Sequence, residues 1–111
     1  MDINAAKEGN ILISKPLGRL DGTNSRDFEE NLKSQLSDDV NSLIIDLEDL
    51  VYISSAGLRA ILLLAKTLNS KGQKLALCSL SDQIMEVFEI SGFNKVISIH
   101  SDRSSAISSM S

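Results

Sequence analysis

Cysteine, histidine and proline each occur only once in this 111-residue sequence. The lone Cys78 excludes an internal disulfide, and its position after the apolar residues 75–77 predicts a buried strand thiol in a reducing cytoplasm. One cysteine and one histidine supply too few soft ligands for a zinc site, so no metal is expected. With one proline and 42% hydrophobic residues, the composition excludes a disordered or linker-like chain.

Basic residues are outnumbered, because 11 lysines and arginines stand against 15 acidic residues and give a net charge of −4. No basic stripe could neutralise a row of phosphates, which disfavours nucleic-acid binding. An acidic surface instead favours solubility and a protein partner with positive patches.

Long apolar segments are missing too. Residues 1–8 contain neither the basic nor the apolar region of a secretory signal, and the apolar stretch Ala60–Ala65 is far shorter than the roughly 20 residues that span a membrane. We therefore expect a soluble, cytoplasmic protein that begins at Met1 and does not bind membranes. The length predicts one domain over residues 1–111, with its core at about 3–99 and a tail or short helix at 100–111.

Short apolar runs bounded by turn residues predict the strands. They lie at Ile11–Ile13, Leu17–Leu20, Leu43–Leu47, Leu75–Leu77 and Val96–Ile99, with an earlier edge strand around Ile3. The run Leu43–Leu47 is apolar except for Asp46, which is typical of a central strand covered on both faces.

Apolar residues at helical spacing predict three helices between these strands. The first begins where Thr23, Asn24 and Ser25 offer N-cap oxygens, and it places Phe28, Leu32 and Leu36 on one face. The second follows a connection at 48–53, ends at Gly72 and has an inward stripe formed by Leu58, Ile61, Leu62, Ala65 and Leu68. The third is capped by Ser79 or Ser81, buries Ile84, Val87 and Phe88, and ends at Ser91–Gly92.

The segment from Asp46 to Leu58 joins the predicted central strand to the start of the second helix. Sites in open α/β sheets form at the carboxyl ends of strands, and a helix start favours an anion through its free N–H groups and its dipole. The local pattern alone favours a simpler interpretation. Ser54 and Ser55 are ordinary candidates for an N-cap, and Gly57 allows close packing of the helix on the sheet.

This segment resembles the signature of the STAS domain family, in particular the bacterial anti-sigma factor antagonists. Three further features resemble that family in sequence and position: the early turn Gly18–Asp21, the acidic segment Asp46–Leu50, and Ser91–Phe93 before a final strand. The resemblance extends from about Ile3 to Ile99. It implies an α/β fold with a mainly parallel or mixed sheet of four to five strands and covering helices.

The stress and sporulation members of the family contain Asp-Ser-(Ser/Thr)-Gly-Leu, in which the serine after the aspartate is phosphorylated. When the glycines are aligned, Ser54 occupies the aspartate position, Ser55 the phosphoacceptor position, and Ala56 the next one. The resemblance therefore implies Ser55 as the phosphoacceptor, with Ser54 as a second candidate.

The resemblance also implies a partner switch in transcription regulation that is not itself an enzyme and needs no cofactor. The unmodified protein would bind an anti-sigma factor that is also a serine kinase, phosphorylation would release it, and a metal-dependent serine phosphatase would reset the switch. The chain alone is expected to be a monomer. Arg59, Leu63 and Lys66 point away from the predicted core, and partner contact is expected at Asp21, Ser54, Ser55, Ala56, Gly57, Arg59 and Leu63.

Other functions receive less support from the residues. A serine hydrolase would need Gly-x-Ser-x-Gly and a histidine near Ser55, whereas His100 is expected in a solvent-exposed loop after the last strand. A phosphate-binding loop would need more glycines than Gly57, and Glu48–Asp49 are expected to be solvated. The alternative function is a STAS-like adapter that binds a client other than a sigma factor, or a small ligand, without phosphorylation.

Overall fold

The computed structural model describes residues 2–36 and 39–110; Met1, Ser37, Asp38 and Ser111 lie outside the described residues. The strands are β1 Ile3–Glu8, β2 Ile11–Pro16, β3 Gly18–Leu20, β4 Ser42–Asp46, β5 Leu50–Ile53, β6 Lys74–Cys78 and β7 Ser98–His100. The α-helices are α1 Ser25–Gln35, α2 Ser55–Ser70, α3 Asp82–Ser91 and α4 Arg103–Ser109. No helix in the described part of the chain is long and apolar enough to cross a membrane.

Five strands form a mixed sheet in the order β1-β2-β4-β6-β7. The β1–β2 pair is antiparallel, and the other three pairs are parallel. The central strand β4 is buried at every residue, which confirms the prediction from its apolar run. The predicted α/β class, with a mainly parallel or mixed sheet of four to five strands, is also confirmed.

A second sheet of two strands, β3 and β5, pairs Arg19 with Tyr52 and Leu20 with Ile53. The prediction that residues 48–53 are only a connection was wrong, because Leu50–Ile53 form β5. Leu50 and Ile53 are buried while Val51 and Tyr52 between them are exposed. This pattern does not alternate, so the sequence lacks the period-two signal of a half-buried strand.

The main core lies on the face of the five-stranded sheet that packs against α1, α2 and α3. Its largest fully buried side chains include Phe28 from α1 and Phe88 from α3. A smaller cluster lies on the other face, where Ala106 of α4 packs with Ile13, Ile44 and Cys78. Cys78 is a buried strand thiol as predicted, and burial raises its pKa to about 11.

The buried face of α2 differs from the predicted stripe. Leu58, Ile61 and Leu68 are buried as predicted, but Leu64 is also fully buried while Leu62 is half-buried. Residues 61–64 are all leucine or isoleucine, so several phases of the helix would bury a comparable apolar face. The position of the sheet selects one of them.

The ends of two elements also correct the predictions. Asn24 precedes α1, but its side chain makes no cap bond to the helix. It instead accepts from the N–H of Asp21 and donates to the carbonyl of Arg19. The last strand begins two residues later than predicted, after a 3₁₀ turn at Phe93–Lys95. His100 is consequently a half-buried strand residue and not a solvent-exposed loop residue.

Candidate functional site

The start of α2 is fixed by Ser54, the residue that precedes the helix. Its Oγ accepts a hydrogen bond from the N–H of Gly57 at 3.2 Å, and its carbonyl accepts one from the N–H of Leu58 at 2.9 Å. Its own N–H donates to the carbonyl of Leu20 at 2.9 Å, which ties the helix start to β3. Ser54 is therefore a structural N-cap with its hydroxyl already in use.

Ser55 is the first residue of α2, and its side chain is exposed. Its hydroxyl forms no hydrogen bond with any residue that the structure describes. The two adjacent serines therefore differ, because the Ser54 hydroxyl supports the helix and the Ser55 hydroxyl faces solvent. Ser55 offers an acceptor oxygen for a modifying group without loss of a folded-state contact.

Gly57 is buried against β3 and cannot be replaced by a larger residue without a rearrangement. A Cβ at this position would lie 2.7 Å from the Leu20 carbonyl oxygen and 2.9 Å from Ile53 Cγ1. The glycine therefore supplies the close packing considered from the sequence. Because Gly57 is buried, its part in the site is to position Ser54 and Ser55, while neighbouring side chains form the surface.

The loop after β3 lies beside this helix start, since a Cβ on Gly22 would be 4.0 Å from the Cβ of Ala56. Asp21 in this loop is half-buried, and its Oδ1 accepts from the Thr23 hydroxyl at 2.6 Å and from the Thr23 N–H at 3.0 Å. The hydrogen bond from the Thr23 hydroxyl is the main cause of a lowered pKa for the Asp21 carboxyl. The early turn and the serine motif are therefore neighbours, and the lowered pKa favours the charged form of Asp21.

Sequence reasoning missed the exposed side chains of the small sheet next to this surface. The Arg19 guanidinium lies over the Tyr52 ring, 4.1 Å from its centre, and Val51 beside it is 69% exposed. Arg19 also approaches Asp21 at 3.8 Å. The pairing of β3 with β5 brings these residues together across 33 positions of sequence, and no local motif signals it.

On α2, Ser55, Arg59 and Leu63 follow one another at four-residue intervals and are all exposed. Residues at this spacing lie on the same face of a helix. Leu63 is 41% exposed, which agrees with its predicted outward position. We call Ser55, Arg59 and Leu63 the outer stripe of α2; it extends from the candidate phosphoacceptor along the helix surface.

The acidic residues before the motif are engaged within the fold. Glu48 and Asp49 are exposed, as expected, and each also approaches Lys15 Nζ, at 3.0 and 3.3 Å. Asp46, buried at the end of β4, accepts two hydrogen bonds from Arg103 of α4 at 2.9 and 3.1 Å. Residues 2–36 and 39–110 contain no group of three or more potential metal ligands.

The geometry gives no support to a serine hydrolase. His100 lines a cavity beside residues 62–69 of α2, and Ser55 is not part of that cavity's lining. A general base must lie within hydrogen-bond reach of the hydroxyl that it activates. The site at the start of α2 therefore consists of an exposed hydroxyl, a helix N-terminus and flanking protein surface.

Residues 2–106 match the family described as STAS domain. The chain is 37% identical over 106 residues to BtrV of Bordetella bronchiseptica, named as a candidate anti-sigma factor antagonist, with 96% of this chain and 91% of BtrV covered.

Two solved structures are similar in fold. A Thermotoga maritima protein, described as a candidate anti-sigma factor antagonist, superposes with a TM-score of 0.88 at 20% identity, covering 97% of this chain and 93% of that one. The Bacillus cell fate determinant SpoIIAA in its phosphorylated form superposes with a TM-score of 0.76 at 17% identity, covering 99% and 100% of the two chains.

Proposed function

Because the chain belongs to the STAS domain family, we propose that it acts as an anti-sigma factor antagonist controlled by phosphorylation of Ser55. In its unmodified form it binds an anti-sigma factor that is also a serine kinase. Phosphorylation at Ser55 releases that partner, and a metal-dependent serine phosphatase restores the binding form. Catalysis resides in the partners, and this chain is their substrate and ligand.

The exposed, unbonded hydroxyl of Ser55 is the observation that most favours this proposal. A kinase transfers the γ-phosphoryl group of ATP to that oxygen, releases ADP and takes up the hydroxyl proton. The acceptor must enter the kinase site, which suits an exposed first helical residue. Ser54 is the weaker candidate, because its oxygen is the N-cap acceptor for Gly57.

Two kinds of relative support the same function. BtrV, at 37% identity, is named as a candidate anti-sigma factor antagonist. SpoIIAA, which shares the fold, is described in a phosphorylated form. By similarity to these proteins, we expect partner binding and phosphorylation to occur at the surface around Ser55.

The helix start is well suited to a phosphate. The first N–H groups of a helix lack acceptors within the helix. Gly57 and Leu58 donate to Ser54, and the N–H groups of Ser55 and Ala56, the first two residues of α2, have no acceptor within the helix. Arg59 is one turn further along the same face and forms no ion pair with any described residue. The modified protein should therefore keep its fold.

The same phosphate disfavours a partner that covers this surface. It adds about −1.5 to −2 charges and three strong acceptors. Stabilisation at a helix N-terminus amounts to about 0.3–1 kcal/mol, whereas an unpaired charge buried at an interface costs several kcal/mol. To change binding from nearly complete to nearly absent, the two forms must differ by about 5.5 kcal/mol.

Incubation with the cognate anti-sigma factor kinase and ATP, followed by intact-mass analysis, tests the acceptor. We expect one added phosphate on the natural chain and on Ser54→Ala, and none on Ser55→Ala. Ser81→Ala is the matched control, because it removes a serine cap from another helix and should still be modified. No added phosphate on the natural chain would favour the adapter function, and equal modification of Ser55→Ala would refute the assignment.

A further inference from the structure

A cavity of about 880 Å³ lies beside the C-terminal half of α2, away from the serine motif. It is bounded by residues 62–69 of α2, the start of β6, residues 91–98 and the end of α4. The edge strand β7 pairs only with Ala76–Cys78, so Lys74 and Leu75 of β6 lie at the open part of the edge. The cavity occupies this open part.

The charge of the cavity is opposite to that of the whole chain. Among the residues that the structure describes, its lining includes Lys66 and Lys74 and no aspartate or glutamate, although the chain has 15 acidic and 11 basic residues. Neither lysine forms an ion pair with a residue that the structure describes. Asp102, which interacts electrostatically with the lining residue His100, already accepts from the N–H of Ser105 at 2.8 Å.

Two buried polar atoms of the lining residues have no hydrogen-bond partner among the described residues. They are His100 Nε2 and Gln73 Oε1. The Gln73 amide is held in place, because its Nε2 donates to the Val40 carbonyl at 2.7 Å. Buried polar groups without protein partners are uncommon in folded proteins, and a bound water, an ion, strain or a functional role accounts for them.

The remaining walls are mainly apolar. Leu62, Ala65, Leu75, Phe93, Val96 and Met110 line the cavity, and Val96 is 68% exposed. A volume of about 300–1,000 Å³ with apolar walls and a few polar groups is typical of a small-molecule site. The combination favours a ligand with a hydrocarbon body and one negatively charged end.

We propose that this cavity binds a small amphipathic organic anion, with Lys66 and Lys74 attracting its charged end and the apolar walls covering its hydrocarbon body. The site is independent of the proposed phosphorylation, since Ser55 is not part of it. Failure of either proposal therefore leaves the other standing.

Titration with decanoate, followed by NMR, tests the proposal on the full chain. His100 is the only histidine, so its ring protons give an isolated signal within the lining. We expect saturable shifts with decanoate, with affinity about fourfold lower for each methylene removed from the tail. Decanol, which has the tail without the charge, should bind at least tenfold more weakly. Butyrate, which has the charge but six fewer methylenes, should bind about 4,000-fold more weakly and so give no saturable shift.

Two double variants with the same net charge locate the binding charge. Lys66→Gln with Lys74→Gln should lower decanoate affinity at least tenfold. Lys71→Gln with Lys95→Gln, which changes two lysines outside the lining, should lower it less than twofold. Equal affinities for decanoate and decanol, equal losses in the two double variants, or the absence of a saturable His100 shift would each overturn the proposal.

Discussion

Helices α2 and α3 begin with the same serine cap and differ in their first helical residues. The Oγ of Ser54 accepts from Gly57 at 3.2 Å, and the Oγ of Ser81 accepts from Ile84 at 3.2 Å. The first residue of α3 is Asp82, whereas α2 has no acidic residue in its first turn and begins with Ser55. The third residue is the buried Ile84 in α3 and the tightly packed Gly57 in α2.

The start of α3 is built for stability alone, whereas the start of α2 has room for an added negative charge. In α3 a permanent carboxylate stabilises the N-terminus, and a large side chain anchors it in the core. In α2 the corresponding negative charge is absent, and the missing side chain at Gly57 lets the helix start lie against β3. A phosphate on Ser55 would therefore supply a charge of the sign that α3 always has.

The largest effect should come from adding a side chain at Gly57. A Cβ would meet the Leu20 carbonyl oxygen at 2.7 Å, so Gly57→Ala should lower the free energy of unfolding by about 2 kcal/mol, despite the better helix propensity of alanine. Chemical denaturation measures this change. Gly22→Ala is the control, because its Cβ would meet only Ala56 at 4.0 Å and should cost little. Equal stability of the two variants would contradict the close-packing argument.

Removal of either cap should have an intermediate and similar effect. Ser54→Ala and Ser81→Ala each lose one cap bond of the same length, and each should cost about 1 kcal/mol in denaturant unfolding. Aspartate at either position keeps a cap acceptor and should restore most of the loss. A negligible cost for Ser54→Ala would mean that its hydroxyl is as free as that of Ser55.

Adding a negative charge at the first residue of α2, or removing one from the first residue of α3, should change the free energy of unfolding by a smaller amount and in opposite directions. Ser55→Asp should raise the free energy of unfolding by about 0.3–1 kcal/mol at low ionic strength, and Asp82→Ser should lower it by a similar amount. Ser55→Asn, a neutral substitution of similar shape, is the matched control. A destabilising Ser55→Asp would show that the helix start does not tolerate the charge that the proposed switch requires.

The smallest effect concerns α4, which is capped by a carboxylate in place of a hydroxyl. The Ser105 N–H donates to Asp102, and this hydrogen bond lowers the pKa of Asp102 from its ordinary value of 3.8. A lowered folded-state pKa means that the cap contributes stability above the ordinary pKa, and that this contribution is lost as the pH falls through the lowered value. The serine caps of α2 and α3 do not titrate in this range.

Amide hydrogen exchange as a function of pH measures the effect. After correction for intrinsic exchange rates, the first turn of α4 should lose protection in acid before the first turn of α2, which contains no acidic residue. Asparagine is as good a cap as aspartate, so Asp102→Asn should remove the contribution of residue 102 to this pH dependence. An unchanged pH profile in Asp102→Asn would contradict the assignment.

The sequence predicted the parts of the fold that depend on strong local patterns. The apolar run of β4, the helical spacing of Phe28 and Leu32, and the Ser81 cap all have local causes. Which face of α2 is buried has no such local cause, because consecutive apolar residues would allow several faces of the helix to pack on the sheet. Strand β5 cannot be predicted from its own residues, because its buried and exposed side chains do not alternate. It is defined by its pairing with β3.

The candidate site was located by sequence, but its internal arrangement was not. The sequence identifies both serines of the motif. It does not show which hydroxyl is the helix cap, because that depends on the residue at which the backbone becomes helical. The contact between Arg19 and Tyr52 depends on the register of the small sheet, which no short motif specifies. His100 lies in β7 and not in a loop, because β7 begins and ends later than its apolar run suggests.

The most direct test of the switch is the affinity of the anti-sigma factor for two chemically defined forms of the protein, unmodified and phosphorylated only at Ser55. Calorimetric or fluorescence titration should show about 10,000-fold weaker binding of the phosphorylated form, with the fold unchanged by circular dichroism. Treatment with a serine phosphatase should restore the original affinity. Affinities of the two forms within tenfold of each other would contradict phosphorylation-driven release.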